Sequence, residues 1–244
     1  MILLEVCAGS VQSAVEAQQG GAFRIELCDN LAQGGTTPSP SQITKSKQLF
    51  DIQTNILIRP REGDFLYSDL EFETMKQDIH YCGQAKCNGV VFGILNPDGS
   101  IDKIRNQELV KIAHQYKMEV TFHRAFDRSS NLYKALEDII EIGCNRILTS
   151  GGKKTALEGK EIIKQLIEKA ADRIIIMPGG GITEDNVRDL VNSTGLKEFH
   201  GSFRSPVRSK MTYMAPAFCE EEEFVILQTD KEKVSKAIKN ANNI

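Results

Sequence analysis

The sequence lacks the features that would connect it to a membrane, to nucleic acid or to a structural metal site. No apolar run approaches the length that crosses a bilayer, and 30 basic against 33 acidic residues leave a net charge of −3. No CxxC pair is present and the four histidines are widely separated, which argues against a structural zinc site. We therefore expect neither a membrane nor a nucleic acid as a partner.

The amino terminus lacks the basic segment that begins a secretory signal. Its first residues, MILLEVC, reach an acidic side chain at Glu5 and are typical of a strand. We therefore expect a cytoplasmic protein, in which the six cysteines are mostly free thiols because that compartment is reducing.

Short apolar runs alternate eight times with longer segments that have apolar residues at helical spacing. The runs are ILLEVC (2–7), FRIELC (23–28), TNILIR (54–59), GVVFGI (89–94), EVTFHR (119–124), RILTS (146–150), IIIMP (174–178) and EFHGS (198–202). Such runs are typical of parallel strands buried on both faces. Eight strand–helix units in 244 residues predict an α/β fold, a single (β/α)₈ TIM barrel. The prediction is one domain over 1–244, with an irregular segment at about 205–229 that includes a β-like run, EFVILQT (223–229), and a final helix.

The first two predicted strands end in the same motif, Glu-x-Cys, at 5–7 and at 26–28. Ligand sites in TIM barrels lie at the C-terminal ends of the strands. Neighbouring strands are about 4.8 Å apart, so the thiols of Cys7 and Cys28 could share one ion, and thiolates are the ligands that Cu(I) selects. The alternative interpretation is that both cysteines are small buried core residues.

Charged residues at several strand ends predict a polar cluster in the barrel mouth. Glu5 and Glu26 would meet Arg59 and His123 there. Carboxylates inside a barrel are costly unless paired, so the cluster is either a structural network or a ligand site. No lysine lies at a strand end, which disfavours Schiff-base chemistry. The candidate catalytic acids and bases are Glu26, His123, Glu5 and Asp127.

Small residues follow the last three predicted strands. The glycines of MPGGGI (177–182) let backbone N–H groups approach an anion, and many barrels bind phosphate at this position. The alternative is that tight turns alone require the glycines. The candidate ligand-binding residues at the mouth are Arg59, Thr149, Ser150, Gly179, Gly180, Gly181 and His200.

Taken together, the motifs resemble those of the CutC family. They are EVC, RIELC, GGTTPS (34–39), IRPREGDFLYSD (58–69), TFHRAFD (121–127), LTSGG (148–152), MPGGGI and EFH, in order over about residues 2–205. The resemblance implies a cytoplasmic (β/α)₈ barrel linked to copper homeostasis. It also implies Cu(I) binding through Cys7 and Cys28, the positions that match the family's metal-binding cysteines.

Two functions from different classes remain open at this point. The first is a copper homeostasis protein that holds Cu(I) between the two strand-end thiols. The second is an enzyme that performs lyase- or isomerase-type acid–base chemistry on a small phosphorylated or carboxylated metabolite. A binding module without chemistry is a third, weaker alternative. The expected partner is a copper ion or a small anionic ligand, and self-association into a homo-oligomer stays open.

Overall fold

The structure, a computed structural model, describes residues 1–49, 51–215, 217 and 221–243. Cys219, one of the six cysteines, and Pro216 in the segment expected to be irregular lie outside the described residues.

Eight parallel strands form the barrel and confirm the TIM-barrel prediction. They are β1 (Leu3–Ala8), β2 (Arg24–Leu27), β3 (Gln53–Leu57), β4 (Gly89–Phe92), β5 (Glu119–Phe122), β6 (Arg146–Thr149), β7 (Ile175–Pro178) and β8 (Glu198–Gly201). Each strand pairs with the next from β1 to β7, and β8 pairs with β1. A single parallel bridge between Gly179 and His200 joins the two ends of the sheet.

Each strand is followed by a helix that covers the outside of the barrel. The helices of the described residues are α1 (Val11–Gln19), α2 (Pro40–Leu49), α3 (Asp69–Gln84), α4 (Lys103–Gln115), α5 (Leu132–Ile142), α6 (Lys160–Ala170), α7 (Val187–Thr194) and α8 (Lys231–Asn242). Among these residues no helix is both long enough and apolar enough to cross a membrane.

Helix α5 illustrates why these segments fold as they do. The side chain of Asn131 accepts hydrogen bonds from the N–H groups of Tyr133 and Lys134, which caps the first turn. Apolar residues such as Leu136 and Ile139 then recur at helical spacing and are buried against the sheet. The helix ends at Gly143, whose φ of 91° is the left-handed conformation that glycine adopts without strain.

The segment after β8 contains a hairpin before the last helix. Strand β9 (Arg204–Arg208), in the segment expected to be irregular, pairs antiparallel with β10 (Val225–Thr229), which lies within the run expected to be β-like. The hairpin returns the chain to the barrel wall, where the N–H of Thr229 donates to Ser13 on α1 at 3.2 Å. Helix α8 then closes the helical layer, with Val234 fully buried.

The contact between α1 and α8 yields a test of packing. A Cβ at Gly20 would lie 2.7 Å from Cβ of Val234 and 2.8 Å from the carbonyl oxygen of Lys231. Gly20 has a helical φ of −74°, so alanine introduces no backbone strain there. We expect Gly20→Ala to lower the free energy of unfolding by about 1–3 kcal/mol, the usual cost of overpacking, in urea denaturation. Gly9→Ala is the control, because its Cβ would meet only the flexible Leu31 side chain at 3.3 Å. Equal stability of the two variants would contradict this account.

Candidate functional site

A chain of ion pairs fills the barrel interior below the mouth. The register places Glu5 of β1 opposite Arg24 of β2 and His200 of β8, so these side chains enter the interior at one level. The Arg24 guanidinium pairs with both Glu5 and Glu198, and Arg146 also binds Glu198, at 2.8 Å. These carboxylates neutralise an arginine that is only 1% exposed, which a buried cation requires.

Glu5 is therefore bound in this network, and its assignment as an acid–base candidate stays a prediction. Its Oε1 contacts Nδ1 of His200 at 2.9 Å, and the residue is completely buried. Burial alone would raise the pKa of Glu5, but the charge of Arg24 and the hydrogen bond with His200 outweigh burial and lower this pKa to about 2. For His200, burial acts to lower the pKa, but the bond to Glu5 and the charges of Glu26 and Glu5 outweigh it and raise the pKa.

The two motif cysteines meet directly above this network. Their sulfur atoms are 3.6 Å apart, too far for the roughly 2.05 Å of a disulfide bond, and both thiols are free. The strands are staggered, since Cys7 lies opposite Glu26 and Cys28 follows the last residue of β2. The Cys7 thiol also contacts Oε1 of Glu26 at 3.4 Å, and the Cys28 thiol contacts the carbonyl oxygen of Ala8 at 3.6 Å.

Three residues of this region have the arrangement of metal ligands. One potential ligand atom from each of Cys7, Glu26 and His200 lies within 4.8 Å of the others. Because Nδ1 of His200 contacts the Glu5 carboxylate, its Nε2 is left for a ligand, as in the carboxylate–histidine pairs of many metal sites. The hydrogen bond to Cys28 and burial raise the pKa of the Cys7 thiol, and burial raises the pKa of Glu26. Both shifts act towards the protonated forms, and a bound cation would act in the opposite direction.

A cavity of about 610 Å³ opens from the cluster to the barrel mouth. Seven of the residues proposed from the sequence line it, namely Cys7, Glu26, Arg59, His123, Gly180, Gly181 and His200. The lining does not include Glu5, Cys28, Asp127, Thr149, Ser150 or Gly179. The structure adds lining residues that the sequence did not indicate, among them Arg204 and Lys233.

Arg59 faces the cavity but is largely engaged by the backbone. Its Nη1 donates to the carbonyl oxygens of Gln33 and Gly35, and its Nη2 donates to that of Gly63. These bonds hold together the loops that follow β2 and β3. Only Nε is left without a protein partner among the described residues, and the role of Arg59 in ligand binding stays a prediction.

Asp127 fills the turn after β6 and is not among the residues that line the cavity, and its assignment as an acid–base candidate stays a prediction. Its carboxylate accepts from Thr149 Oγ1 at 2.5 Å, from the N–H groups of Ser150 and Gly152 at 3.0 Å, and from Arg124 Nε at 2.8 Å. Thr149 and Ser150, expected to bind a ligand, thus donate to a carboxylate of the chain itself. The turn has the geometry of an anion site, and Asp127 occupies it.

The glycines after β7 divide between two tasks. The N–H of Gly179 donates to the carbonyl oxygen of Thr149 at 2.9 Å, and Gly179 forms the bridge to His200 that closes the barrel. Gly180 and Gly181 have φ values of 99° and 72°, a conformation that favours glycine, and both line the cavity. A Cβ at Gly180 would lie 3.1 Å from Nη1 of Arg124, so the guanidinium lies against this glycine.

Comparison with known proteins agrees with the motifs. A model of the CutC family matches residues 2–205 of the chain. The chain belongs to the CutC family. A CutC family protein of Parabacteroides distasonis is 46% identical over 243 residues, which cover 97% of this chain and 99% of the relative. The human copper homeostasis protein cutC homolog is 45% identical over 249 residues, which cover 99% of this chain and 90% of the relative.

A solved CutC structure shares the fold. The crystal structure of CutC from Streptococcus agalactiae superposes with a TM-score of 0.78 at 36% identity, covering 83% of this chain and 99% of that one. The resemblance to the CutC family that the strand-end motifs indicated is thus confirmed for this chain.

The buried ion pair leads to a prediction about stability and pH. We expect Glu5→Gln to lower the free energy of unfolding at pH 7 by about 3–5 kcal/mol, because it leaves Arg24 with an incomplete partner set in the interior. The pKa of Glu5 is about 2 in the folded state, below its usual 4.5. The contribution of the Glu5 charge to the free energy of unfolding is therefore complete above pH 4.5 and is lost as the pH falls towards 2.

Urea denaturation of the wild type and of Glu5→Gln from pH 7 to pH 3 measures this difference. The gap between the two proteins should narrow as the solution becomes acidic. Glu137→Gln is the matched control, because it breaks an ion pair with Arg173 in which both side chains are almost half exposed. A gap independent of pH would show that Glu5 does not stabilise the fold through its charge.

Proposed function

We propose that this CutC family protein functions in copper homeostasis by binding Cu(I) between Cys7 and Cys28. The observation that carries the proposal is the 3.6 Å separation of the two sulfur atoms at the base of the mouth. Soft thiolate ligands select Cu(I) over harder cations. The names of the human and mouse relatives, copper homeostasis protein cutC homologs, support the same function.

The donor set fits one metal ion. A metal–thiolate bond is about 2.3 Å long, the value for Zn²⁺, so two sulfurs can both contact one ion whenever they are less than about 4.6 Å apart. At a separation of 3.6 Å, Cys7 and Cys28 would both be able to hold one ion, and a further residue could add a ligand. Glu26 and His200, which lie beside Cys7, are the proposed source of that ligand.

A reducing compartment agrees with this proposal. The cysteines of the described residues are free, and thiols persist in the cytoplasm. We therefore propose a cytoplasmic location, and we propose that the whole chain acts as one domain whose barrel mouth is the binding site.

Copper binding is tested by anaerobic competition titration against a Cu(I) chelator. We expect Cys7→Ser and Cys28→Ser each to weaken binding by at least about 100-fold, since losses even in the outer shell of a metal site cost about 10- to 100-fold. Binding should also weaken as the pH falls, because the thiols must lose their protons to bind.

Cys82→Ser is the matched control for this titration. Cys82 and Cys87 form another buried pair of neighbouring thiols, on the outside of the barrel. A loss of affinity in Cys82→Ser would therefore show that copper binds adventitiously at this second pair. The control should bind copper like the wild type. Equal affinity of the wild type, Cys7→Ser and Cys28→Ser would contradict the proposal.

A second candidate function, an enzyme or sensor for a small anionic metabolite, is favoured by the size and lining of the mouth. A cavity of about 610 Å³ is far larger than an ion needs and lies in the range of small-molecule sites. The charged lining residues are basic at Arg59, Arg124, Arg204 and Lys233, and acidic at Glu26 and Glu184. This excess of positive charge suits an anion, with the Gly180–Gly181 turn as the proposed phosphate contact.

Substitution of the turn tests the anion site. Inorganic phosphate and glycerol 3-phosphate at millimolar concentration should raise the melting temperature of the wild type by about 2–4 °C for each kcal/mol of binding. Gly180→Val should lose this rise, because its side chain would fill the space beside Arg124. Gly195→Val is the control, since Gly195 has a similar positive φ of 69° but nothing within 4 Å. Gly195→Val should have a lower melting temperature than the wild type, but phosphate should still raise that temperature. A wild type that no phosphorylated compound stabilises would eliminate this candidate.

A further inference from the structure

His123 is a buried hydrogen-bond donor without a protein acceptor. Its Nδ1 accepts from the N–H of Ala125 at 3.2 Å, so the ring proton of the neutral imidazole is on Nε2. Nε2 has no hydrogen-bond partner among the described residues, although His123 is only 5% exposed. Since buried polar groups are almost always paired, this N–H calls for a ligand atom.

The environment keeps His123 uncharged. Burial and the charge of Arg59 lower its pKa to about 3, so the imidazole is neutral at physiological pH. The ring also packs against Phe65, with the ring centroids 4.8 Å apart, which limits its rotation. A neutral, fixed Nε2–H is suited to an oxygen acceptor such as a carbonyl or a hydroxyl.

The neighbouring rim of the cavity, formed by Arg124, Gly180 and Gly181, is suited to a negatively charged group instead of a neutral oxygen. Arg124 uses Nε and Nη2 to bind Asp127 and Ser150, while Nη1 lies against Gly180 and has no acceptor in the described part of the chain. Within the same part of the chain, the N–H groups of Gly180 and Gly181 also have no acceptor. These donors and His123 line one cavity.

We propose that the mouth binds a phosphate monoester whose organic part carries a carbonyl or hydroxyl oxygen, and that His123 is the residue that recognises this oxygen. In this complex Nε2–H of His123 donates to the oxygen, while Arg124 and the Gly180–Gly181 turn contact the phosphate. The proposal rests on the second candidate function above and is independent of copper binding. It makes His123 a determinant of specificity, because a ligand without the oxygen would leave the buried donor unpaired.

The test compares four probes by calorimetric titration: inorganic phosphate, propyl phosphate, glycerol 3-phosphate and dihydroxyacetone phosphate. The wild type should bind at least one of the two oxygen-bearing esters about 10-fold more tightly than propyl phosphate, the difference that one well-placed hydrogen bond makes. His123→Phe removes the donor and should bind all three esters equally. His123→Gln keeps an N–H at a similar position and should restore part of the preference.

Inorganic phosphate is the internal control for the fold of each variant. It should bind equally to the wild type, His123→Phe and His123→Gln, because it contacts only the rim. If the wild type binds phosphate but shows no preference for the oxygen-bearing esters, or if His123→Phe keeps that preference, the role of His123 is overturned while the anion site stands. If no probe binds the wild type, both are overturned. Copper titration of the same samples reports separately on the thiols.

Discussion

The pairing of Arg24 with two carboxylates is the interaction on which the barrel mouth depends. This arginine, which is 1% exposed, lies on β2 and pairs with Glu5 of β1 and with Glu198 of β8, while Arg146 shares Glu198. Because Glu5 is held in this way, it in turn positions His200 next to Cys7. The position of His200 among the possible metal ligands is thus set by charged groups at its own level in the barrel, one layer beneath Cys7 and Glu26.

The mouth separates strong charges from neutral polar groups. The full charges are concentrated in the interior ion pairs and in the arginines and lysine of the rim. Between them lie groups whose environments favour the neutral form, the Cys7 thiol and the imidazole of His123. A soft cation at the thiols and an organic anion at the rim would therefore contact different parts of one cavity, with Glu26 and His200 between them.

Sequence reasoning predicted the barrel and the location of the site because both follow from local patterns, the repeated strand–helix alternation and the residues at strand ends. It did not include Arg24, although the alternation in RIEL puts that residue on the same face as Glu26. It did not foresee the partners of Asp127 and Arg59 for another reason. Several of these partners are groups of turns distant in sequence, and the paths of those turns are not encoded in any short motif.

The strand that carries His200, β8, is paired along its length with β1 but is joined to β7 at only one position. Pro178 has no N–H to add to the sheet, and the junction of β7 with β8 is made by one bridge, between Gly179 and His200. This weakly paired junction of the barrel therefore includes His200, which belongs to the ligand cluster of Cys7, Glu26 and His200. On its other side His200 is paired with β1 and bonded to Glu5, so the ligand cluster is supported by the sheet mainly from β1 and only weakly from β7.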